Sequence, residues 1–251
     1  MPYYYLYYSP VGLAFIIPML ICMVASIVAS LRVKSNFAKF SKYSIRSGMK
    51  GSDVASRLLR SNGIYDVQVG RVGGELSDHF HPKKNIVNLS AETYDVASVA
   101  SVAVAAHEIG HVIQSREGYS LYKLRSVLVP IANVGTFLAM PLVLVGLLLD
   151  YFVANTSPET GFYVAMVGVA LYGTSFLFSL VTFPVELNAS KRAKEMLLAE
   201  GILAEDEMPG AEKMLSAAAM TYFVSLVTSL IYFLRFLFYV LSLFGGGRRR
   251  D

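Results

Sequence analysis

Four stretches of the chain carry no charged side chain over about 20 positions or more: residues 11–31, 126–149, 161–185 and 214–234. The last stays apolar beyond Arg235 as far as Phe244. About 20 helical residues cross the roughly 30 Å hydrocarbon layer of a bilayer, so each stretch predicts a membrane-spanning helix. Pro18, Pro130, Pro141 and Pro184 lie in or at the ends of these runs. Membrane helices tolerate such prolines better than soluble ones. The first run has no basic segment before it and is too long for the apolar core of a signal peptide, so it reads as a membrane helix.

Between the runs the periodicity changes. Ser52 reads as a helix N-cap, followed by one apolar face of Val54, Leu58 and Leu59 and a stop at Asn62-Gly63. Residues 65–71, 75–80 and 85–89 read as short strands, with Gly73-Gly74 and Pro82-Lys83-Lys84 as turns. Ser90 then reads as the cap of one long helix over 91–116. Residues 186–213 read as helical, broken at Gly201 and at Pro209-Gly210. The expected fold is a mainly α membrane protein with about four transmembrane helices and a small α+β cytoplasmic part. Its expected parts are an N-terminal span (1–32), a cytoplasmic α+β segment (33–125), a transmembrane hairpin (126–185), a cytoplasmic helical segment (186–213) and a C-terminal span with a basic tail (214–251).

Composition agrees with this pattern. Charged residues are 16% of the chain and hydrophobic residues 55%. That is too little charge to cover a soluble surface of this size. A single cysteine, Cys22, excludes an intramolecular disulfide. The net charge of +4 (22 − 18) matters less than its placement. Arg32, Lys34, Lys39, Lys42, Arg46, Lys50, Arg57 and Arg60 follow the first run with Asp53 as the only acid among them, whereas 150–160 contains no Lys or Arg. Basic loops stay cytoplasmic, so three crossings agree with one orientation. A fourth full crossing puts Arg248, Arg249 and Arg250 outside; it is nevertheless favoured over a re-entrant course. Tyr3, Tyr4, Tyr5, Tyr7 and Tyr8 suit the outer headgroup belt, and Arg235 suits snorkelling. The basic segment reads as a contact for anionic lipid rather than nucleic acid.

All four histidines fall between His79 and His111. His107-Glu108-Ile109-Gly110-His111 places two imidazoles at i and i+4, on one helix face and one turn apart, where both can ligate one Zn²⁺. Glu108 then stands where a general base for a water is needed. Gly110 costs a helix about 1 kcal/mol relative to alanine, which implies a close neighbour. A catalytic zinc takes three protein ligands and keeps one position open. His79 and His81 lie upstream; Glu186, Glu117 and Glu195 lie downstream. Glu186 leads, because two crossings return the chain to the same side as His111. His79 and His81 alternate along a strand, so both face one way. They are candidate oxyanion donors or ligands of a second metal, or simply part of a surface turn. Asp78 and Asn188 are candidates to orient the imidazoles from behind. The strand at 85–89 is a possible edge for an extended peptide.

Several segments together resemble the neutral zinc metallopeptidases of prokaryotic membranes, the YugP-like family, and more distantly the gluzincins of the HtpX and CAAX-prenyl protease kind. They are Ser77-Asp78-His79-Phe80-His81-Pro82, Val87-Asn88-Leu89-Ser90, Ala105-Ala106-His107-Glu108-Ile109-Gly110-His111, Pro184-Val185-Glu186-Leu187-Asn188-Ala189-Ser190 and Leu215-Ser216-Ala217-Ala218-Ala219-Met220-Thr221-Tyr222. The resemblance covers nearly the whole chain. It implies a zincin-like cytoplasmic part, one zinc per chain on His107, His111 and Glu186, and Glu108 as the catalytic residue. The family pattern around His79 is closer to Asp-His-Tyr-Asp-Pro, with His81 here in the fourth place, and Asn188 stands where relatives have Asp. The expected function is an integral endopeptidase of the prokaryotic plasma membrane with a cytoplasmic site, acting on peptides or membrane proteins, with no nucleic-acid partner. The alternative is a catalytically silent, zinc-stabilised scaffold or chaperone. Metal transport is disfavoured by spans almost free of polar ligands.

Overall fold

A computed structural model describes residues 10–153 and 159–245. Elements follow in the order α1 (Pro10–Phe40), α2 (Gly51–Ser61), β1 (Gln68–Val72), β2 (His79–His81), β3 (Ile86–Ser90), α3 (Ala91–Tyr94), α4 (Val99–Arg116), α5 (Ser120–Val153), α6 (Thr160–Ala199) and α7 (Met208–Gly245). The tyrosine cluster at 3–8 and Arg248 to Arg250 lie outside the described residues.

Among the described residues, four helices are long and apolar enough to cross a membrane: Ala14–Phe40, Ser120–Phe152, Thr160–Ala199 and Met208–Phe244. The protein is thus a mainly α membrane protein with a small α+β part. Each helix outlasts the apolar run that predicted it. Absence of charge marks the stretch suited to hydrocarbon, but the hydrogen-bond ladder continues wherever packing supports it. Phe37 and Phe40 extend α1, Leu197 extends α6, and Met208 and Ala211 begin α7, all within one buried cluster. The sequence places a break at Pro209-Gly210; both residues instead lie in the first turn of α7, where proline's missing N–H costs nothing. The break at Gly201 is real, and its φ of +60° is one glycine adopts freely. From Met208 to Gly245 α7 is one helix of 38 residues. That is about 57 Å at 1.5 Å per residue, with no turn for a re-entrant course.

The described chain divides into two compact units. One takes the described residues of Met1–Ser26, Leu124–Thr182 and Phe223–Asp251. Here small residues let helix backbones approach: a Cβ on Gly168 of α6 would lie 2.7 Å from the Ala139 carbonyl of α5. Arg235, the one charge of its stretch, points a guanidinium nitrogen at Met19 Sδ, 3.2 Å away.

The other unit, Ile27–Lys123 with Phe183–Tyr222, holds all four histidines. Its sheet has the order β1-β3-β2, with β1 parallel and β2 antiparallel to β3. Both edges of β3 are therefore paired, which removes it as a docking edge for a peptide. In α2, Lys50 rather than Ser52 is the N-cap, and its N–H donates to Asp53 Oδ2 at 3.0 Å. The long helix predicted from 91 is two helices. Ser98 is the N-cap of α4, its hydroxyl accepting from Ser101 N, while the Ser101 hydroxyl donates to Val96 O at 2.7 Å. These short polar side chains offer the backbone a turn in place of a helical ladder, so the chain re-caps after Tyr94. The new start leaves α4 buried on nearly all sides, with Val102, Ala105, Ala106, Ile109 and Val112 fully enclosed.

Candidate metal centre

Within α4, His107 and His111 stand one turn apart, their ring centroids 4.8 Å from each other and nearly perpendicular. Glu186 reaches them from α6 and is only 1% exposed. Its Oε2 lies 3.1 Å from His107 Nε2 and 3.4 Å from His111 Nε2. One ligand atom from each of the three residues lies within 4.8 Å of the other two. Ligands at about 2.1 Å from a tetrahedral zinc stand about 3.4 Å apart, so the spacing suits that ion.

Glu186 can reach because the two helices nearly touch. A Cβ on Gly110 would fall 2.7 Å from the Ala189 carbonyl oxygen and 3.1 Å from its Cα. This is the close neighbour that a glycine in mid-helix implied.

The hydrogen bonds behind the cluster set the tautomer of His111. The Gln114 side-chain N–H groups donate to Val185 O at 2.8 Å and to Asn188 Oδ1 at 2.9 Å. The amide oxygen therefore faces His111 and accepts from Nδ1–H at 2.9 Å, which leaves a lone pair on Nε2. His107 Nδ1 is 3.2 Å from the Ser190 hydroxyl, which can accept from it in the same way. With His107 in the same tautomer, two imidazole lone pairs and a carboxylate converge, a donor set that a metal cation satisfies. The electrostatics agree. Burial opposes the His111 imidazolium, but the Glu186 carboxylate beside it, and then Glu108, outweigh burial and hold its pKa above the ordinary value. The residues thus fit the zinc that the sequence implied.

His107 and Glu108 also line a cleft of about 410 Å³, with Lys34 of α1 and Tyr222 of α7 among its walls. Glu108 is 8% exposed and is not one of the three clustered ligands.

Of the remaining candidates, all but His81 have other hydrogen-bond or ion-pair partners among the described residues. Asp78 borders the cleft, but its carboxylate accepts from Ser90 N at 2.8 Å and from the Ser90 hydroxyl at 3.1 Å. His79 donates from Nδ1 to Ser77 O at 2.8 Å and accepts at Nε2 from the Asn88 amide at 3.0 Å. His81 closes β2, with Nδ1 buried. Of the rival carboxylates, Glu195 faces Lys191. Glu117 accepts from Arg192 at 2.6 Å, and that guanidinium holds its carboxyl below the usual range. Asn188 sits behind His111, one residue removed. Gln114 and Ser190 escaped the sequence reading. Gln114 had left a signal: it is three residues beyond His111 and seven beyond His107, hence on their face, and it is the amide of an otherwise apolar Val112-Ile113-Gln114 run.

Known proteins agree with this chemistry. Residues 15–241 match the family described as "Putative neutral zinc metallopeptidase". The chain is 39% identical over 214 residues to the "Putative membrane protease YugP" of Bacillus subtilis (strain 168), an alignment covering 85% of this chain and 91% of that protein. No solved structure matches. With nearly its whole length inside the family match, and a carboxylate and two imidazoles gathered as zinc requires, the chain belongs to the neutral zinc metallopeptidase family.

Proposed function

We propose that the protein is a membrane-embedded endopeptidase of the prokaryotic plasma membrane, of HExxH gluzincin type, whose site faces the cytoplasm. The observation that carries this is the convergence of His107, His111 and Glu186 beside a cleft that also holds Glu108. His107, His111 and Glu186 would hold the zinc. Bound there, zinc supplies Lewis acidity toward a water and a peptide carbonyl. Glu108, at the cleft wall next to His107, would accept a proton from the attacking water and deliver it to the departing amine. The cleft admits an extended peptide or the unwound end of a membrane segment. Its apolar wall, which includes Met214, Leu215 and Ala218, suits apolar side chains.

Charge placement supports a cytoplasmic site. The basic residues from Arg32 to Arg60 all belong to the unit that carries the cluster, and residues 150–160 have no Lys or Arg. A cysteine replacing exposed Lys42 in intact cells should resist a membrane-impermeant maleimide and react once the membrane is opened. Labelling from outside would reverse the orientation.

The activity is tested with purified, zinc-loaded protein on a peptide library and on unfolded membrane-protein substrates. Internal cleavage abolished by a zinc chelator is expected. Full zinc occupancy without cleavage of any substrate would favour a zinc-stabilised scaffold instead.

A further inference from the structure

The hydrogen bonds at His111 continue as a chain away from the zinc site. It runs from His111 Nδ1 to Gln114 Oε1 at 2.9 Å, and from Gln114 Nε2 to Asn188 Oδ1 at 2.9 Å. Arg192 Nε donates to the same Asn188 oxygen at 2.9 Å, and the Arg192 guanidinium ends on Glu117 at 2.6 Å. Gln114 also donates to the Val185 carbonyl at 2.8 Å, one residue before Glu186. Gln114 is fully buried, whereas Glu117 at the other end is exposed.

We infer that Gln114 is the positioning residue of the zinc site, fixing His111 as the Nδ1–H tautomer and tying the helix of the two histidines to the helix of Glu186. The inference rests on the zinc reading above. Its physical basis is the donor and acceptor inventory of one side chain. The position needs an acceptor toward the imidazole and two donors toward two carbonyl oxygens, and a primary amide supplies all three. Leucine supplies none, leaving a buried imidazole N–H and two oxygens without Gln114. Ionised glutamate keeps the acceptor and loses both donors. The partner of a metal-bound imidazole is often a carboxylate. A neutral amide makes the ring less basic and adds no charge to a cluster whose one ligand carboxylate is Glu186. The clamp also acts level with the ligands, because Val185 precedes Glu186 in sequence.

The test uses the full-length protein in detergent, with zinc affinity read by competition against a chromophoric chelator and ligand geometry read from the visible spectrum of the cobalt-substituted form. Gln114→Leu should weaken zinc binding about 10- to 100-fold, as loss of the group behind a ligand imidazole does, and should alter the cobalt spectrum. Gln114→Glu should recover part of that affinity and fall short of wild type, because one oxygen still accepts from Nδ1–H while both donors toward Val185 and Asn188 are lost. The loss in Gln114→Leu would not follow if the residue served only to fill space, since leucine is of similar volume. Gln114→Leu holding zinc as tightly as wild type, or Gln114→Glu as weak as Gln114→Leu, overturns the inference. Should Gln114→Leu not fold, Gln114→Asn takes its place: its amide falls one methylene short, and it is expected to bind zinc as weakly. A wild-type protein that takes up no zinc would instead overturn the reading beneath.

Discussion

Glu108→Gln is expected to lower peptide hydrolysis by about 10²- to 10⁴-fold, the range of a positioned general base, with zinc still bound at one ion per chain. The substitution keeps the shape of the side chain and removes its ability to take a proton. Glu108 lies outside the ligand cluster, so the metal should stay. It borders the cleft and is nearly buried, so an amide there disturbs little packing. The expected signature is a fall in kcat, with substrate binding and thermal midpoint close to wild type. The same variant separates the two readings of the protein. A scaffold has no use for the proton acceptor, so Glu108→Gln would be silent in cells. A peptidase would accumulate uncut substrate, recoverable by comparing membranes of variant and wild type. Undiminished cleavage by Glu108→Gln would remove Glu108 from the mechanism.

What the sequence made legible follows from the range of each interaction. The four spans were readable because hydrocarbon tolerates no unpaired charge over 20 residues, a constraint each stretch shows by itself. The two-histidine helix was readable because i and i+4 share a face whatever surrounds them. Long-range placement was less visible. Three short strands in sequence do not reveal their order, and β3, which read as an open edge, became central only when β1 crossed over to pair with it in parallel. The start of α4 at Ser98 depended on side-chain bonds to Ser101 and Val96 that compete locally with helix, a near-balance that caps and propensities do not resolve. Gln114 was passed over for a related reason. A buried amide declares its role only through its partners, and two of them, Val185 and Asn188, lie some 70 positions away.

Gly110→Ala is expected to cost little stability and most of the function. Alanine improves helix propensity over glycine by about 1 kcal/mol. Against this, the new methyl meets the Ala189 carbonyl oxygen at 2.7 Å and its Cα at 3.1 Å. These are backbone atoms of α6, so no rotamer change relieves the contact and the helices must part by several tenths of an ångström. Overpacking of this kind costs about 1–3 kcal/mol, leaving a net loss of at most about 2 kcal/mol. The functional effect is larger because Gly110 adjoins His111, and Ala189 is one turn from Glu186. Parting α4 from α6 at that level draws the carboxylate away from both imidazoles. A 1 Å misplacement at a catalytic centre can cost on the order of 10²-fold in rate, so a shift of several tenths of an ångström should cost about 10-fold. Zinc affinity and hydrolysis should therefore fall together in Gly110→Ala, and further in Gly110→Val, while the folded fraction changes little in the first. Gly73→Ala is the control, since a Cβ there meets nothing within 4 Å. Wild-type zinc retention and turnover in Gly110→Ala would show that the contact with Ala189 does not hold the ligands in register.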